Sequence, residues 1–123
     1  MRKHDNPEER EQKLVVAYIR RAYPKALFTC SPAGFKMPKL LSIMFAKWAY
    51  AMGYRKGVSD LIIFEARKGC HGLFIEMKSA TGRPTDEQKV FLDMVGARGY
   101  ANKVCKSFEE AITLLDWYMG GVS

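Results

Sequence analysis

Gly57-Val58-Ser59-Asp60-Leu61-Ile62-Ile63-Phe64 and Leu73-Phe74-Ile75-Glu76-Met77-Lys78 are two strand-like apolar runs, each carrying an acid. Between them lies the polar linker Glu65-Ala66-Arg67-Lys68-Gly69-Cys70-His71-Gly72. With two glycines and this length it predicts a hairpin, which sets Asp60 beside Glu76. Side chains alternate along a strand, so Phe74, Glu76 and Lys78 share one face and Leu73, Ile75 and Met77 take the other. A carboxylate and a lysine inside an apolar strand cost free energy to bury unless they are paired, bind a metal or face a cleft. Two carboxylates and a lysine at one end of adjacent strands point to a divalent-metal site beside a cationic group, a combination suited to phosphate chemistry. The plainer reading makes Asp60 the end of a turn and Glu76 with Lys78 an exposed ion pair on an edge strand.

Upstream, Asn6-Pro7-Glu8-Glu9 reads as a helix start, with Asn6 as N-cap and Pro7 at the first helical position. The helix is predicted to run to about Ala22, with Leu14, Val15, Tyr18, Ile19 and Ala22 as its apolar face. At about 100° per residue, Glu11 sits near the middle of that face, Glu8 near its edge, and Glu9 points away. Glu11 either serves the helix dipole, as acids in a first turn do, or reaches the acidic cluster as a further metal ligand. Ala26–Cys30 is a short strand, and Ser31-Pro32-Ala33-Gly34-Phe35-Lys36 a loop whose backbone N–H groups and Lys36 can meet a phosphate. Pro38 to Met52 predicts a second helix. Its stripe of Leu40, Leu41, Met44, Trp48, Ala51 and Met52 reads as core, with Lys39 and Lys47 toward the polar side. Gly53 ends it. Arg55 and Lys56 follow as solvated charge or, beside the acids, as contacts to a DNA backbone. Gly57 stands where a tight backbone near a ligand needs a glycine.

Downstream, Ser79–Pro84 is a loop, and Thr85-Asp86-Glu87-Gln88 is a capping box with Thr85 as N-cap and Gln88 as its partner. Val90, Phe91, Met94 and Val95 form the apolar face of the helix that follows, which closes at Gly96 or Gly99. From its first turn Gln88 also points back toward the end of the Glu76 strand, and both roles fit together. Tyr100–Cys105 is the last strand. Ser107-Phe108-Glu109-Glu110 is a second capping box opening a helix to about Met119. The predicted order is α-β-α-β-β-α-β-α, one α/β domain over 1–123 with residues 1–6 frayed.

Composition agrees. The 123 residues are 48% apolar, enough for one core and too apolar for a disordered chain. No apolar run reaches membrane-spanning length and Met1-Arg2-Lys3-His4-Asp5 opens no signal peptide. Cys30, Cys70 and Cys105 lack metal-finger spacing and fit a reducing compartment, which predicts a cytoplasmic setting. The net charge of +7, from 20 basic and 13 acidic side chains, permits a polyanionic partner without requiring one.

Taken together, these residues resemble the virus-type replication–repair nuclease (VRR-NUC) family of the PD-(D/E)xK superfamily. The resemblance runs from about Glu8 to Tyr118. Gly57-Val58-Ser59-Asp60-Leu61 resembles the family's Gly-Val-Pro-Asp-Leu, and Gly72-Leu73-Phe74-Ile75-Glu76-Met77-Lys78 its Gly-Leu-Tyr-Ile-Glu-Met-Lys. Gly82-Arg83-Pro84-Thr85-Asp86-Glu87-Gln88 resembles Gly-Arg-Leu-Ser-x-x-Gln, and Gly99-Tyr100 with Ser107–Ala111 the closing strand and helix. Glu11 with Leu14-Val15 resembles the first-helix acid and apolar pair, in a register that can instead select Glu8. Two departures stand out. Ser59 replaces the usual proline, which leaves the acid in place and alters local rigidity, and Ser31-Pro32-Ala33-Gly34 stands where many members have Pro-Asn-Gly.

The resemblance implies a restriction-endonuclease-like mixed sheet flanked by helices, and Mg²⁺- or Mn²⁺-dependent hydrolysis of phosphodiester bonds in DNA. It implies that Asp60, Glu76 and the Met77 carbonyl hold the metal, with Glu11 completing the site. Lys78 would orient water or stabilise developing charge, and Gln88 would position the water or Lys78. Lys36, Lys39, Arg55, Lys56 and Arg83 are the candidate DNA-backbone rim. Small stand-alone members resemble homodimeric Holliday-junction resolvases, so branched DNA and a second copy are the expected partners. The second helix is the expected dimer surface, since Ile43 and Phe45 lie off its main stripe. Two other readings are a monomeric flap, single-strand or nicking endonuclease, and a catalytically silent DNA-binding module.

Overall fold

Asn6 caps the first helix by accepting the Glu9 N–H at 3.1 Å, and Pro7 begins it, as the sequence predicts. The computed structural model describes residues 6–31 and 38–121, so the expected fraying of residues 1–5 lies outside the described residues. The elements run α1 (Pro7–Ala22), β1 (Phe28–Cys30), α2 (Lys39–Ala51), β2 (Leu61–Ile63), β3 (Leu73–Met77), α3 (Asp86–Ala97), β4 (Ala101–Cys105) and α4 (Phe108–Met119). This is the predicted order. Among the described residues, no helix is long and apolar enough to cross a membrane.

The strands form one sheet in the order β1-β2-β3-β4. β1 and β3 each pair antiparallel with β2, and β4 lies parallel to β3. The parallel pair needs a crossover, which α3 supplies. The β2–β3 linker turns at Lys68 (φ 55°) and Gly69 (φ 74°), with the Cys70 N–H on the Arg67 carbonyl at 2.8 Å. Two positive φ angles match the handedness of a tight hairpin turn to the strand twist.

The alternation read in β3 holds. Leu61 and Ile63 of β2, and Leu73, Ile75 and Met77 of β3, pack with Val15 and Ile19 of α1 and with Leu115 and Tyr118 of α4. On the other face the Phe74 ring meets Phe91 of α3 and Tyr100, each at 5.4 Å between centroids. α1 and α4 are also joined through Asp116, whose Oδ1 accepts the Tyr18 and Tyr23 hydroxyls at 2.7 and 2.6 Å.

Three expectations are corrected. The α2 stripe is not core: Leu40 is 69% exposed and Trp48 60%, and Ala49 is the helix's only buried residue. Periodicity shows that a helix has an apolar side, not that the same chain covers it. Leu14 and Val90 are likewise exposed, because α1 and α3 meet the sheet through Val15 and Ile19 and through Leu92 and Val95. In α4, Ser107 Oγ accepts the Glu110 N–H as expected, but the Glu110 carboxylate takes the N–H of Lys106 at 3.2 Å, one residue before the cap, so the box is not reciprocal.

Candidate active site

The hairpin register pairs Leu61 with Ile75, which sets Asp60 opposite Glu76 at the end of the two strands. Asp60 is held from two sides. Its Oδ2 accepts the Met77 N–H at 2.7 Å, and its main-chain carbonyl accepts the Ser31 N–H at 2.9 Å. Ser59, beside it, is fully buried, and its hydroxyl has no hydrogen-bond partner.

Glu76 is 1% exposed on a strand with neighbours on both sides, so the edge-strand ion pair of the plainer reading is not what forms. Its Oε2 accepts the Gln88 Nε2–H at 3.1 Å and lies 3.6 Å from Lys78 Nζ. Its Oε1 is buried with no hydrogen-bond partner. Burial, and then the neighbouring Asp60 carboxyl, push the Glu76 pKa up to about 9, while Lys78 pulls it down. One ammonium does not balance two adjacent carboxyls in this setting. An unsatisfied buried acceptor costs about 1–3 kcal/mol, and more when charged. The site is thus short of positive charge at the Glu76 carboxyl, which lies beside that of Asp60.

Gln88 carries out both jobs read for it. Its Oε1 accepts the Thr85 N–H at 2.8 Å while Thr85 Oγ1 accepts the Gln88 N–H at 3.2 Å, closing the capping box. Its amide is left to reach Glu76. Gly57 has a different partner from the expected ligand. At φ +95°, a Cβ there would sit 2.5 Å from the Glu87 carbonyl oxygen, so the glycine lets the loop press on the first turn of α3.

Of the two first-helix acids, the structure brings Glu8 to the end of β3, where its Oε1 accepts the Ser79 N–H at 3.3 Å. Glu11 is half-buried on the same helix, without a hydrogen bond or ion pair to any of the described residues. Among the described residues, no three His, Cys, Asp or Glu side chains gather as a ready metal cage. The donors present are Asp60, Glu76 with its orphaned oxygen, and main-chain carbonyls such as that of Met77. All are hard oxygen atoms, and a small set of them completed by water fits Mg²⁺ or Mn²⁺.

Of the basic residues, Lys36 lies outside the described residues. Lys39 and Arg83 are exposed. Arg55 is exposed with its guanidinium 3.3 Å from Met94 Sδ, and Lys56 faces Glu87 at 3.8 Å. Arg55 and Lys56 line an open cleft of about 720 Å³ with Tyr50, Tyr54, Asp86 and Glu87. Neither tyrosine stands out in the sequence as a site residue, although Tyr54 directly precedes the basic pair and Tyr50 lies in the last turn of α2.

A family model described as VRR-NUC domain matches residues 8–109. A solved structure described as a VRR_NUC domain protein is similar with a TM-score of 0.77 and 28% identity, over 94% of this chain and 90% of that one. Another, described as a VRR_NUC domain, shares the fold with a TM-score of 0.62 and 20% identity, over 93% of this chain and 99% of that one. A search of curated proteins gave no match.

Proposed function

Because the chain belongs to the VRR-NUC domain family, nucleases of the PD-(D/E)xK type, we propose that it is a metal-dependent, structure-specific DNA endonuclease and acts as a homodimeric Holliday-junction resolvase. The observation that carries the hydrolytic part is Glu76, buried between the half-buried Asp60 and Lys78 with one carboxylate oxygen unsatisfied. In this reading Asp60 and Glu76 hold Mg²⁺ or Mn²⁺ with the Met77 carbonyl and water. Such a cation supplies a water of lowered pKa and polarises a phosphoryl oxygen.

The chain's own side chains do the rest. The Met77 N–H fixes the Asp60 carboxylate, leaving its other oxygen for the site. Gln88 fixes the rotamer of Glu76 from a helix start that its own capping box makes rigid. Lys78, its side chain 13% exposed, keeps its ammonium where the negative charge of an attacked phosphate develops. The first-helix acid, Glu8 by position or Glu11 by the family's spacing, orients water at the edge of the site. Lys36, Lys39, Arg55, Lys56 and Arg83 contact phosphates and set the register of DNA without reading its sequence.

The dimer rests on α2. Leu40, Leu41, Met44, Trp48 and Met52 are each more than half exposed, a contiguous apolar face of the kind that marks an interface. A second copy covering it would relate two sites by a twofold axis, matching the symmetry of a four-way junction. The test is purified protein with four-way, flapped and linear DNA, with and without Mg²⁺ or Mn²⁺. Paired symmetric cuts in four-way DNA, abolished by EDTA, are expected. A single cut near a branch by a monomer would replace the resolvase by a flap or nicking enzyme. Binding without any cleavage would leave a silent DNA-binding module.

A further inference from the structure

We propose that the cleft between α2 and α3 is a subsite for one unpaired nucleotide of the DNA substrate, with its base stacked on Tyr50 and its phosphate at Arg55 and Lys56. This rests on the nuclease reading above and adds to it a substrate feature, an unpaired nucleotide at the branch.

Tyr50 is the starting point. It is 81% exposed at the lip of the cleft, a large aromatic face given to water. At about 100° per residue it lies on the opposite flank of α2 from Trp48 and Leu41 and roughly 80° from Leu40, so a partner centred on Trp48 and Leu41 leaves it free. Every base has a π-face, so an exposed tyrosine beside a cationic groove is what binding of unpaired nucleotides uses.

The charges of the cleft are sorted. Arg55 and Lys56 are donors only; Asp86 and Glu87, on the α3 wall, are acceptors only when ionised. A phosphate is drawn to the first pair and repelled by the second, while base amino groups suit the second. The nucleotide is thereby oriented, backbone toward the loop and base edge toward α3. Its entry costs little. The Lys56–Glu87 pair is 3.8 Å apart with side chains 86% and 46% exposed, a contact that water already competes for. Arg55 is held by a thioether, a weak acceptor. The volume of about 720 Å³ falls within the range of small-ligand sites.

Position ties the cleft to the chemistry. On the α3 wall Glu87 is followed by Gln88, which bonds Glu76. On the other wall the Tyr54 hydroxyl lies 3.4 Å from Ser31 Oγ, and the Ser31 N–H bonds the Asp60 carbonyl. The cleft is therefore tied through Gln88 to the Glu76 carboxyl and through Ser31 to the main chain of Asp60, so a nucleotide held there is one residue removed from the site on each wall.

The experiment places a single unpaired 2-aminopurine at the branch of a four-way DNA and follows its fluorescence on adding the 123-residue chain in EDTA. Wild type is expected to quench it by stacking, Tyr50→Phe to quench it equally, and Tyr50→Ala to lose the quench. Tyr50→Ala is also expected to bind a single-stranded oligonucleotide about tenfold more weakly. Equal quenching by Tyr50→Ala overturns the subsite. Because Tyr50 is so exposed, the alanine variant should fold, and unchanged circular dichroism checks that it does. Cleavage by the wild type in Mg²⁺ is scored separately. Cleavage with no Tyr50-dependent quench refutes only the subsite, whereas no cleavage of any DNA refutes the nuclease reading on its own.

Discussion

β3 and α2 are both strongly apolar stretches, and the protein treats them oppositely. In β3 even the glutamate is buried, at 1% exposure; in α2 even the tryptophan is 60% exposed. β3 lies between β2 and β4, with α1 against one face and the Phe91 side of α3 against the other. α2 rests on the remainder of the chain through Ala49. Burial is thus set by what flanks an element and not by its own composition. In the function proposed above, the same difference separates two roles: chemistry at the enclosed polar group and contact with a second copy at the uncovered apolar one.

Breaking the enclosed side should have the largest effect. Asp60→Ala or Glu76→Ala is expected to lower metal-dependent cleavage by roughly a thousandfold or more, measured in single-turnover assays. Glu76→Gln sharpens the point. With its pKa raised from 4.5 to about 9, Glu76 carries a proton near neutrality in metal-free protein. The folded state binds that proton more tightly than the unfolded one, so its contribution is full below 4.5 and is lost as the pH rises through about 9. In EDTA, wild type should therefore lose melting temperature over that interval, while Glu76→Gln should not. A variant that is inactive yet as stable as wild type at pH 8 assigns the residue to chemistry; an active one removes it from the site.

Stability should divide the two regions more modestly. Ile75→Ala, which empties a fully buried position in β3, is expected to cost about 2–5 kcal/mol in urea unfolding. Leu40→Ala, at 69% exposure in α2, should stay within about 0.5 kcal/mol for the isolated chain. If Leu40→Ala costs as much as Ile75→Ala at dilutions where the protein is monomeric, α2 is core after all and the contrast fails. A loss seen only at higher concentration would instead place α2 in a dimer.

These regions also differ in how far they were legible from the sequence. The linker between Phe64 and Leu73 is short enough to predict a hairpin, which brings Asp60 near Glu76, and the observed register sets them opposite each other. Gln88 was legible because a capping box names its own partner, and a helix start after β3 has one direction in which to aim. The exposure of Leu40, Met44 and Trp48 was not, since amphipathic periodicity is the same whether a sheet, another chain or water lies opposite. Glu8 and Glu11 are one helical turn apart on nearly the same face, and only the position of Ser79 distinguishes them. Tyr50 is not legible as a site residue, because exposure leaves no trace in spacing.

The smallest change tests the joint between chemistry and frame. Gly57 has no side chain near the acids, yet its φ of +95° and its approach to Glu87 hold the loop before Asp60 against the first turn of α3. In Gly57→Ala a methyl would meet the Glu87 carbonyl oxygen at 2.5 Å and the Gln88 nitrogen at 3.1 Å. Both are backbone atoms and cannot rotate away, so the loop or the helix start must shift. The cost should be about 1–3 kcal/mol of stability, from an unfavourable φ plus the displacement. Any shift of the helix start moves the Gln88 amide relative to Glu76, and a misplacement near 1 Å can cost about a hundredfold in rate. The expected signature is a lowered kcat with DNA affinity largely kept, because the basic rim is exposed and adjusts. Wild-type stability together with wild-type kcat would mean that Gly57 and α3 do not press on each other, and that Glu76 is positioned by its own strand alone.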